Sequence, residues 1–579
     1  MKAMLSGNEA IARGFYEAGG RFASAYPGTP STEILENVVL YKEIQAQWAP
    51  NEKVALEVSA GAALGGVRTL VAMKHVGLNV AADPFFSLSY QGANAGIVIV
   101  SADDPSLHSS QNEQDNRWFA RAAKVPMLEP SDSQDAKIFT KMALKISEQF
   151  DTPVLLRTTT RINHSKTIVE LNDRLEVEQK PYKKDMLKNV LLPSVGRIRH
   201  VAVEDRLAKL REWCNSCEFN RMEWGDTKIG IITSGVAYQH AREVFPNASF
   251  LKLGMTNPLP EKLIKKFASQ VEIVYVIEEL DPFLEEQIAA MGIKVEGKNK
   301  LPLTDELNPN IIAESFGIDK PDTDGSILHD VQIPARPPVL CPGCSHRGIF
   351  HVMKKLRLIV TGDIGCYTLA ALPPLETIDT CLCMGASVGF AEGLEKATAE
   401  KFNGKIVGVI GDSTFIHSGI TGLIDLVYNK GRTKLCILDN HITAMTGHQE
   451  NPGSGLTLRH EPTFKLDLEA ICRAAGVNRV VRVDPYNIDE TMKVVKEEMA
   501  ADEPSVIIAD APCVIRERIR FSDSYYVDAE TCTMCNICHR IGCPAIEKDD
   551  EGKAKINALL CIGCDLCRQV CKPGAIKKT

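Results

Sequence analysis

The sequence predicts an α/β protein of several domains that ends in a small cysteine-rich domain. Short β-branched runs alternate with amphipathic segments rich in alanine and leucine, which is typical of parallel strands covered by helices on both faces. The runs that indicate buried strands are residues 96–100, 154–156, 229–232, 407–410 and 435–438. At 579 residues the chain is too long for one hydrophobic core, so several domains are expected.

Two stretches have the composition of linkers. The first is charged and covers residues 173–206, and the second, at 318–338, is rich in proline, aspartate and glycine. They divide the chain into three doubly wound α/β domains, at residues 1–190, 226–318 and 339–520, and a compact tail at 521–579.

Composition and charge narrow the class of protein. Apolar residues make up 44% of the chain and charged residues 24%, an ordinary globular balance. The net charge of −8 argues against nucleic-acid binding, because 66 basic residues are diluted among 74 acidic ones. The first residues contain no apolar segment of a secretory signal, and every apolar run is too short to span a membrane. We therefore expect a cytoplasmic protein that binds neither nucleic acid nor membranes.

The tail repeats one cysteine pattern. Each half has a Cys-x2-Cys-x2-Cys triplet followed a few residues later by a fourth cysteine, Cys543 in the first half and Cys571 in the second. Duplicated triplets of this kind bind two 4Fe–4S clusters, and the remote cysteine of each half ligates the other cluster. The expected ligand sets are Cys532, Cys535, Cys538 and Cys571 for one cluster, and Cys561, Cys564, Cys567 and Cys543 for the other. Zinc is the alternative, but zinc sites favour widely separated cysteine pairs.

In the third domain, a polar turn follows each of two predicted strands. Gly411-Asp412-Ser413 comes directly after the strand at 407–410, and Asp439-Asn440 comes directly after the strand at 435–438. Loops at the carboxyl ends of adjacent parallel strands converge, and their oxygen atoms suit Mg²⁺. The pair resembles the Gly-Asp-Gly and Asn-Asn signature of thiamine-diphosphate-dependent enzymes, although Ser413 and Asp439 depart from it. An isolated Gly-Asp-Ser would mark only a strand-to-loop turn.

This resemblance implies a set of ligands around the cofactor. Asp412 would supply a carboxylate, Asn440 an amide oxygen and Ile442 a main-chain carbonyl to a Mg²⁺ ion on the diphosphate, beside Gly411.

The first domain contains two segments that resemble the pyrimidine-binding domain of the same enzymes. Residues 55–63 are similar to the segment around the glutamate that activates the aminopyrimidine, which implies a catalytic role for Glu57 and leaves Glu52 as the nearby competitor. Tyr26-Pro27-Gly28-Thr29-Pro30 resembles a segment of the pyruvate:ferredoxin oxidoreductase superfamily, where the threonine lies near the substrate carbonyl. Thr29 is therefore a candidate cofactor- and substrate-binding residue.

Together the motifs cover nearly the whole chain. Their order is a pyrimidine-binding domain, a transketolase C-terminal-like domain, a diphosphate-binding domain and a two-cluster ferredoxin-like tail. This order resembles that of the α subunits of indolepyruvate:ferredoxin oxidoreductases. The resemblance implies oxidative decarboxylation of an arylpyruvate to an aryl-acetyl-CoA, with electrons passed to ferredoxin. It also implies a separate, smaller β subunit in an α2β2 heterotetramer. This subunit would contain the γ-type domain, which helps to bind coenzyme A.

Four dispersed cysteines suggest a third cluster beside the thiamine. The order of Cys341, Cys344, Cys366 and Cys513 resembles that of the proximal-cluster ligands of the superfamily. The alternative is that they are buried free thiols, and the neighbouring cysteines at 381, 383 and 436 have no assigned role.

Three other functions stay open from the sequence. One is oxidation of a different 2-oxoacid, such as pyruvate or 2-oxoglutarate. Another is non-oxidative thiamine-dependent decarboxylation with structural clusters. The third is a ferredoxin-like electron carrier, which would need neither Asp412 and Asn440 nor a catalytic glutamate.

Overall fold

The computed structural model describes residues 1–319, 334, 336–402, 404–521 and 523–579, and the chain divides into two compact units, Met1–Asp330 and Val331–Thr579. The first unit contains both of the α/β domains predicted before residue 318, and the second contains the third α/β domain and the tail. Most of the predicted linker at 318–338, residues 320–333 and 335, lies outside the described residues.

The first unit alternates strands and helices. Its strands are β1 (Lys2–Ser6), β2 (Phe22–Ala25), β3 (Gln45–Trp48), β4 (Thr69–Lys74), β5 (Ile97–Asp103), β6 (Met127–Leu128), β7 (Val154–Thr159), β8 (Lys166–Glu170), β9 (Arg221–Glu223), β10 (Asp226–Ser234), β11 (Ala248–Leu253), β12 (Met255–Asn257) and β13 (Ile273–Ile277). Its α-helices are α1 (Gly7–Glu17), α2 (Thr32–Val38), α3 (Glu52–Leu64), α4 (His75–Val80), α5 (Ala82–Gln91), α6 (Arg117–Ala123), α7 (Ser133–Phe150), α8 (Thr160–His164), α9 (Met186–Asn189), α10 (Pro193–Trp213), α11 (Gly235–Val244), α12 (Glu261–Ala268), α13 (Phe283–Ala290) and α14 (Pro309–Phe316). Short 3-10 helices lie at Pro105–Leu107 and Cys214–Ser216.

Two larger sheets organise this unit. A seven-stranded sheet has the order β12-β6-β7-β5-β4-β2-β3, in which only β12 is antiparallel to its neighbour. A four-stranded sheet has the order β13-β10-β11-β9, and β9 is its antiparallel edge. Strands β4, β5 and β7 are buried along their whole length, as expected for parallel strands covered by helices. Because β12 pairs with β6, the segment at 226–318 completes the edge of the first sheet.

The second half of the charged stretch at 173–206 is helical, so the linker prediction is wrong there. Helix α10 begins at Pro193, and its residues Val203, Leu207 and Leu210 are buried. These side chains recur at helical spacing and form an apolar stripe. Most of the charged residues of this part of the helix are exposed, but Arg206 is buried and donates to the main-chain carbonyls of Asp151 and Ser89.

The second unit contains a parallel sheet followed by the tail. Its strands are β14 (Ile359–Gly362), β15 (Thr380–Cys381), β16 (Ile406–Gly411), β17 (Lys434–Asp439), β18 (Arg479–Val483), β19 (Ser505–Asp510), β20 (Tyr525–Val527), β21 (Ile546–Lys548), β22 (Ala554–Ile556) and β23 (Ile576–Lys578). Its α-helices are α15 (His346–Leu356), α16 (Ala386–Phe402), α17 (Asp412–Thr414), α18 (Ile420–Tyr428), α19 (Leu468–Ala474), α20 (Ile488–Ala500) and α21 (Leu566–Val570). Two 3-10 helices, Cys366–Ala371 and Cys538–Ile541, and a π-helical turn, Phe415–Gly419, complete it.

The parallel sheet of this unit has the order β15-β14-β16-β17-β19-β18. In the tail, β20 pairs with β23 and β21 pairs with β22, each antiparallel, and the cysteine-bearing loops connect them. The α/β fold with parallel sheets that the sequence predicts is confirmed, and all five predicted strands lie in parallel sheets. In the part of the chain that the structure describes, no helix combines the length and the apolar character needed to cross a membrane.

Candidate functional site

Two neighbouring strands of the six-stranded sheet end in the polar turns singled out from the sequence. Strand β16 leads directly into α17, whose first residue is Asp412, and the helical run continues through the π-helical turn into α18. Gly411 at the end of β16 is in register with Leu438 of β17. Asp412 and Asn440 therefore leave the same edge of the sheet from adjacent strands, where doubly wound folds bind their ligands.

Asp412 is the most unusual polar group at this edge. Its side chain is buried, and its Oδ2 has no hydrogen-bond partner among the described residues. Burial and the nearby carboxylate of Asp439 raise its pKa. A buried carboxylate oxygen without a donor is costly unless a cation or a proton satisfies it, so this position fits a hard divalent metal ion.

The loop after β17 is tied to the loop after β16 through side chains. The Thr443 hydroxyl donates to Oγ of Ser413 at 2.8 Å, and Nδ2 of Asn451 donates to Oγ1 of Thr443 at 3.2 Å. The Ile442 N–H donates to Oδ1 of Asn440 at 3.3 Å, which fixes the amide side chain over the turn. The loop therefore holds its oxygen atoms in place with its own hydrogen bonds.

An ion-pair network flanks this loop. Nε2 of His441 lies 2.7 Å from Oδ1 of Asp510 and 3.7 Å from Oδ1 of Asp439, and Arg482 donates to the other oxygen of Asp510 at 2.7 Å. The hydrogen bond to Asp510 raises the pKa of His441. Asp439, His441 and Asp510 are close enough to hold a metal ion, but their mutual contacts and Arg482 already balance their charges, so we assign them a structural role.

Sequence reasoning missed a second buried acid at the same edge. Asp363 follows β14, the neighbour of β16, and its carboxylate accepts from the N–H groups of Ile364, Gly385 and Ser387 at 2.8, 2.9 and 3.0 Å. It thereby orders the start of α16. The sequence contains a signal for this residue, because Gly362-Asp363 follows a short apolar run in the same way as Gly411-Asp412.

The four dispersed cysteines lie close to one another. Besides burial, a charge on Cys513 raises the pKa of the Cys341 thiol, and charges on Cys341 and Cys513 raise that of Cys366. Charges on Cys341 and Cys366 likewise raise the pKa of Cys344. Burial raises the pKa of Cys344 to about 12 and that of Cys366 to about 11. The thiols of Cys381 and Cys383 are exposed, and Cys436 belongs to the hydrophobic core. The four positions predicted for a third cluster are therefore within electrostatic range of one another.

The tail contains two cavities lined by cysteines. The four cysteines on the first are Cys532, Cys535, Cys538 and Cys571. The four cysteines on the second are Cys543, Cys561, Cys564 and Cys567. Each cavity thus combines one triplet with the remote cysteine of the other half, which is the division predicted from the sequence. All 18 cysteines of the chain are free thiols in the structure, so their number is not explained by disulfides.

In the first unit, the two candidate glutamates of α3 differ in exposure and in their contacts. Glu57 is exposed on the helix surface and forms an ion pair with Lys53. Glu52, in the first turn, is 5% exposed, and a Cβ at Gly77 would lie only 2.6 Å from its Oε1. A larger residue at position 77 would force this side chain to move. Burial and close packing therefore favour Glu52 over Glu57 as a group held in a binding site.

Thr29 lies in a compact turn at the carboxyl end of the seven-stranded sheet. The Ser31 hydroxyl donates back to the carbonyl of Gly28 at 2.8 Å, and Oγ of Ser109 donates to the carbonyl of Thr29 at 3.3 Å. Lys74 at the end of β4 donates to the carbonyl of Ser109 at 2.6 Å, and burial lowers its pKa to about 8. A buried cation thus lies beside the turn that carries Thr29.

Two family models match the chain. The model described as "Pyruvate flavodoxin/ferredoxin oxidoreductase, thiamine diP-bdg" covers residues 13–194, and "Thiamine pyrophosphate enzyme, C-terminal TPP binding domain" covers residues 363–509. The first includes Thr29 and both candidate glutamates, and the second includes Asp412 and Asn440. The two predicted thiamine-diphosphate-binding domains are therefore confirmed.

Two of the curated relatives described here match over the full chain, and a third matches over about half of it. The indolepyruvate oxidoreductase subunit IorA of Archaeoglobus fulgidus is 42% identical over 100% of this chain and 97% of its own length. The protein of the same name from Pyrococcus horikoshii is 40% identical over 100% of this chain and 97% of its own length. The 2-oxoglutarate synthase subunit KorA of Methanocaldococcus jannaschii is 24% identical over 47% of this chain and 87% of its own length. The chain therefore belongs to the family of indolepyruvate oxidoreductase subunit IorA, as its motifs predict.

Proposed function

We propose that the chain is the large, catalytic subunit of a thiamine-diphosphate-dependent 2-oxoacid:ferredoxin oxidoreductase that acts on arylpyruvates such as indolepyruvate. The observation that carries the proposal is the buried, unpartnered carboxylate oxygen of Asp412 at the edge of a parallel sheet. An electron carrier or a binding module has no use for such a group, whereas a Mg²⁺–diphosphate site does.

Asp412, Asn440 and Ile442 would hold the Mg²⁺ ion of the cofactor beside Gly411. Thiamine diphosphate, when bound, supplies the carbon nucleophile and the electron sink that a 2-oxoacid needs to lose carbon dioxide. The protein contributes binding and orientation: the hydrogen bonds among Ser413, Thr443 and Asn451 keep the two loops together. Thr29, beside the buried Lys74, would face the substrate.

A glutamate of α3 would activate the cofactor by holding a proton at its aminopyrimidine. The sequence pattern points to Glu57, but the exposure of Glu57 and its ion pair with Lys53 favour Glu52 instead. Burial and the close approach of Gly77 hold the Glu52 carboxylate in one position, as a catalytic group requires.

The cysteines would carry the electrons away. In this proposal the tail, residues 521–579, is a ferredoxin-like domain with two 4Fe–4S clusters, one on Cys532, Cys535, Cys538 and Cys571 and one on Cys561, Cys564, Cys567 and Cys543. A third cluster would bind Cys341, Cys344, Cys366 and Cys513. The support is that each set of four lies together, in a cavity of the tail or next to the sheet edge.

The remaining parts of the proposal concern organisation. The pyrimidine-binding domain would be residues 1–190, the transketolase C-terminal-like domain 226–318 and the diphosphate-binding domain 339–520. Because the relatives are named as a subunit, a partner subunit is required. We propose that it is a smaller β subunit of the γ-type domain in an α2β2 heterotetramer, with coenzyme A as acyl acceptor and ferredoxin as electron acceptor.

The test is a dye-reduction assay of the purified chain with and without its β subunit. Indolepyruvate, pyruvate and 2-oxoglutarate are compared, with and without coenzyme A. We expect reduction that needs the β subunit and coenzyme A and is fastest with indolepyruvate. Preference for another 2-oxoacid would correct the substrate, and carbon dioxide release without dye reduction would identify a non-oxidative decarboxylase.

A further inference from the structure

Arg347 on α15 is a buried cation in an unusual place. It is 1% exposed, and its guanidinium donates hydrogen bonds to main-chain carbonyls. Nε and Nη2 each donate to the carbonyl of Cys341 at 3.1 Å, Nη1 donates to that of Ile541 at 3.1 Å, and Nη2 also donates to that of Leu340. The side chain therefore bridges the cysteine turn before α15 and the tail.

No carboxylate forms an ion pair with Arg347 among the residues that the structure describes. Its charge interacts instead with thiols from two different sets of cysteines, Cys341 and Cys344 on one side and Cys543 and Cys564 on the other. Burying an arginine without a counter-charge costs several kcal/mol, of the order seen when one partner of a buried ion pair is removed. The dipoles of the main-chain carbonyls offset only part of this cost. Negative charge on the neighbouring cysteines would offset the rest.

The turn between Cys341 and Cys344 packs closely against the second triplet of the tail. Gly343, between Cys341 and Cys344, has φ of 64°, and a Cβ there would lie 2.2 Å from Cδ1 of Ile562 and 3.6 Å from Cβ of Cys564. The hydroxyl of Tyr486 donates to the carbonyl of Gly343 at 2.8 Å and fixes this close approach. The Cys341–Cys344 turn thus packs against the second triplet of the tail, and Arg347 lies beside both.

We propose that Arg347 is the shared counter-ion of two neighbouring iron–sulfur clusters and raises the reduction potential of both. One cluster is that on Cys341, Cys344, Cys366 and Cys513, and the other is that on Cys543, Cys561, Cys564 and Cys567. The inference rests on the proposed function, because it needs both clusters.

The electrostatics give the direction of the effect. A cluster with four thiolate ligands is an anion, and each reduction adds one more negative charge, so a nearby fixed positive charge makes reduction easier. The two clusters, when bound, would exchange single electrons, one being oxidised as the other is reduced, and Arg347 would lie near both. Arg347 keeps its proton and therefore its positive charge, so it would favour the reduced form of either cluster.

The shape of the guanidinium explains why arginine is suited to this position. Its planar fork of five N–H donors reaches carbonyls of both the cysteine turn and the tail at once, which the single ammonium group of lysine cannot do. Arg347 is thus a positioning and charge-setting residue rather than one that reacts.

The test compares Arg347→Lys, Arg347→Gln and Arg347→Met in the full-length chain. Iron per chain is measured first, and reduction potentials are then determined by potentiometric titration followed by electron paramagnetic resonance. Arg568→Met is the matched control, because it removes the same charge from an exposed arginine of the tail that is paired with Asp565. We expect unchanged iron, two potentials shifted to more negative values in the Gln and Met variants, and potentials near wild type in the Lys variant and the control.

Loss of iron in the Gln and Met variants with full iron in the Lys variant also supports a counter-ion. Unchanged potentials in Gln and Met variants that keep their iron would overturn the proposal, and so would equal losses in all three variants, since lysine keeps the charge. Iron analysis of the wild-type protein distinguishes this result from failure of the proposed function. If the proposed function is wrong, the wild type itself lacks the iron of one or both clusters.

Discussion

The main-chain N–H of Cys513 donates a hydrogen bond of 3.1 Å to the carbonyl oxygen of Asn440. The adjacent N–H of Ala511 donates to the carbonyl of Asp439 at 3.0 Å. The segment after β19 is therefore fastened to the loop after β17, and a residue proposed to ligate a cluster is one hydrogen bond from a residue proposed to ligate Mg²⁺. Such proximity would shorten the path of an electron from the thiamine to the first acceptor.

The first prediction is that Cys513→Ser removes one cluster. Three clusters of four irons give about twelve iron atoms per chain, and loss of the proximal one leaves about eight. Iron and sulfide analysis of the purified chain measures this, and bound thiamine diphosphate should be retained. Cys383→Ser is the control, because Cys383 is exposed and has no assigned role. Wild-type protein with about eight irons would show that the four dispersed cysteines are ordinary thiols.

The second prediction is that Asp412→Ala loses the cofactor and keeps its iron. Removing a metal ligand should weaken thiamine diphosphate binding by roughly 100-fold or more. Mutation of residues that only hydrogen-bond to metal ligands already lowers metal affinity by about 10- to 100-fold. Calorimetric titration with thiamine diphosphate and Mg²⁺ provides the affinity. Asp425→Ala is a matched control, because Asp425 is an exposed aspartate on α18 of the same helical run. Equal affinity in the Asp412 variant and the control would remove Asp412 from the site.

The third prediction separates the two glutamates of α3. Glu52→Gln should lower turnover by about 10²- to 10⁴-fold, the range for loss of an acid–base group, whereas Glu57→Gln should remain near wild type. Each variant is the control for the other, because both replace a carboxylate by an amide on the same helix. Thiamine diphosphate content is measured in both, so that loss of cofactor is not mistaken for loss of catalysis. The reverse ranking of activities would return the role to Glu57.

The parts of the fold that could be predicted are those encoded by local pattern. The buried strand at 407–410 and the turn at Asp412 are continuous in sequence, so hydrophobic runs and spacing reveal them. The tail cysteines are also close in sequence, and their division between two cavities follows from the repeat.

Features that depend on burial could not be predicted. Glu52 and Glu57 lie in one helix, and they are distinguished by their burial and by the tertiary contact of Glu52 with Gly77. The helical part of the 173–206 stretch could not be predicted, because its many charged residues are typical of a linker, whereas packing in the first unit buries Val203, Arg206 and Leu207 on one side of α10. The proposed role of Arg347 could not be predicted either, since two of the thiols near it, Cys543 and Cys564, are distant in sequence and approach it only in the folded chain.

The fourth prediction concerns stability and its dependence on pH. Glu17 is fully buried at the end of α1 and accepts from Lys141 at 2.9 Å, Arg13 at 3.0 Å and the N–H of Asn172 at 2.8 Å, with the buried Lys137 3.2 Å away. These donors outweigh the effect of burial and lower its pKa from 4.5 to about 2. A lowered carboxyl pKa stabilises the folded state above pH 4.5, and this contribution is lost as the pH falls through the interval from 4.5 to about 2.

Glu17→Gln should therefore destabilise the first unit at neutral pH and matter progressively less in acid. The neutral amide leaves Lys137 buried without its counter-charge, which costs about 3–5 kcal/mol. Urea unfolding of wild type and variant at pH 7, 5 and 3 measures the difference in the free energy of unfolding. Glu261→Gln is the control, because it removes an exposed glutamate paired with Lys265 and should change stability little. A difference as large at pH 3 as at pH 7 would show that shape rather than charge makes Glu17 important. At pH 3 the unfolded state binds a proton at Glu17 while the folded state still resists protonation, so much of the charge-dependent stabilisation should already be lost.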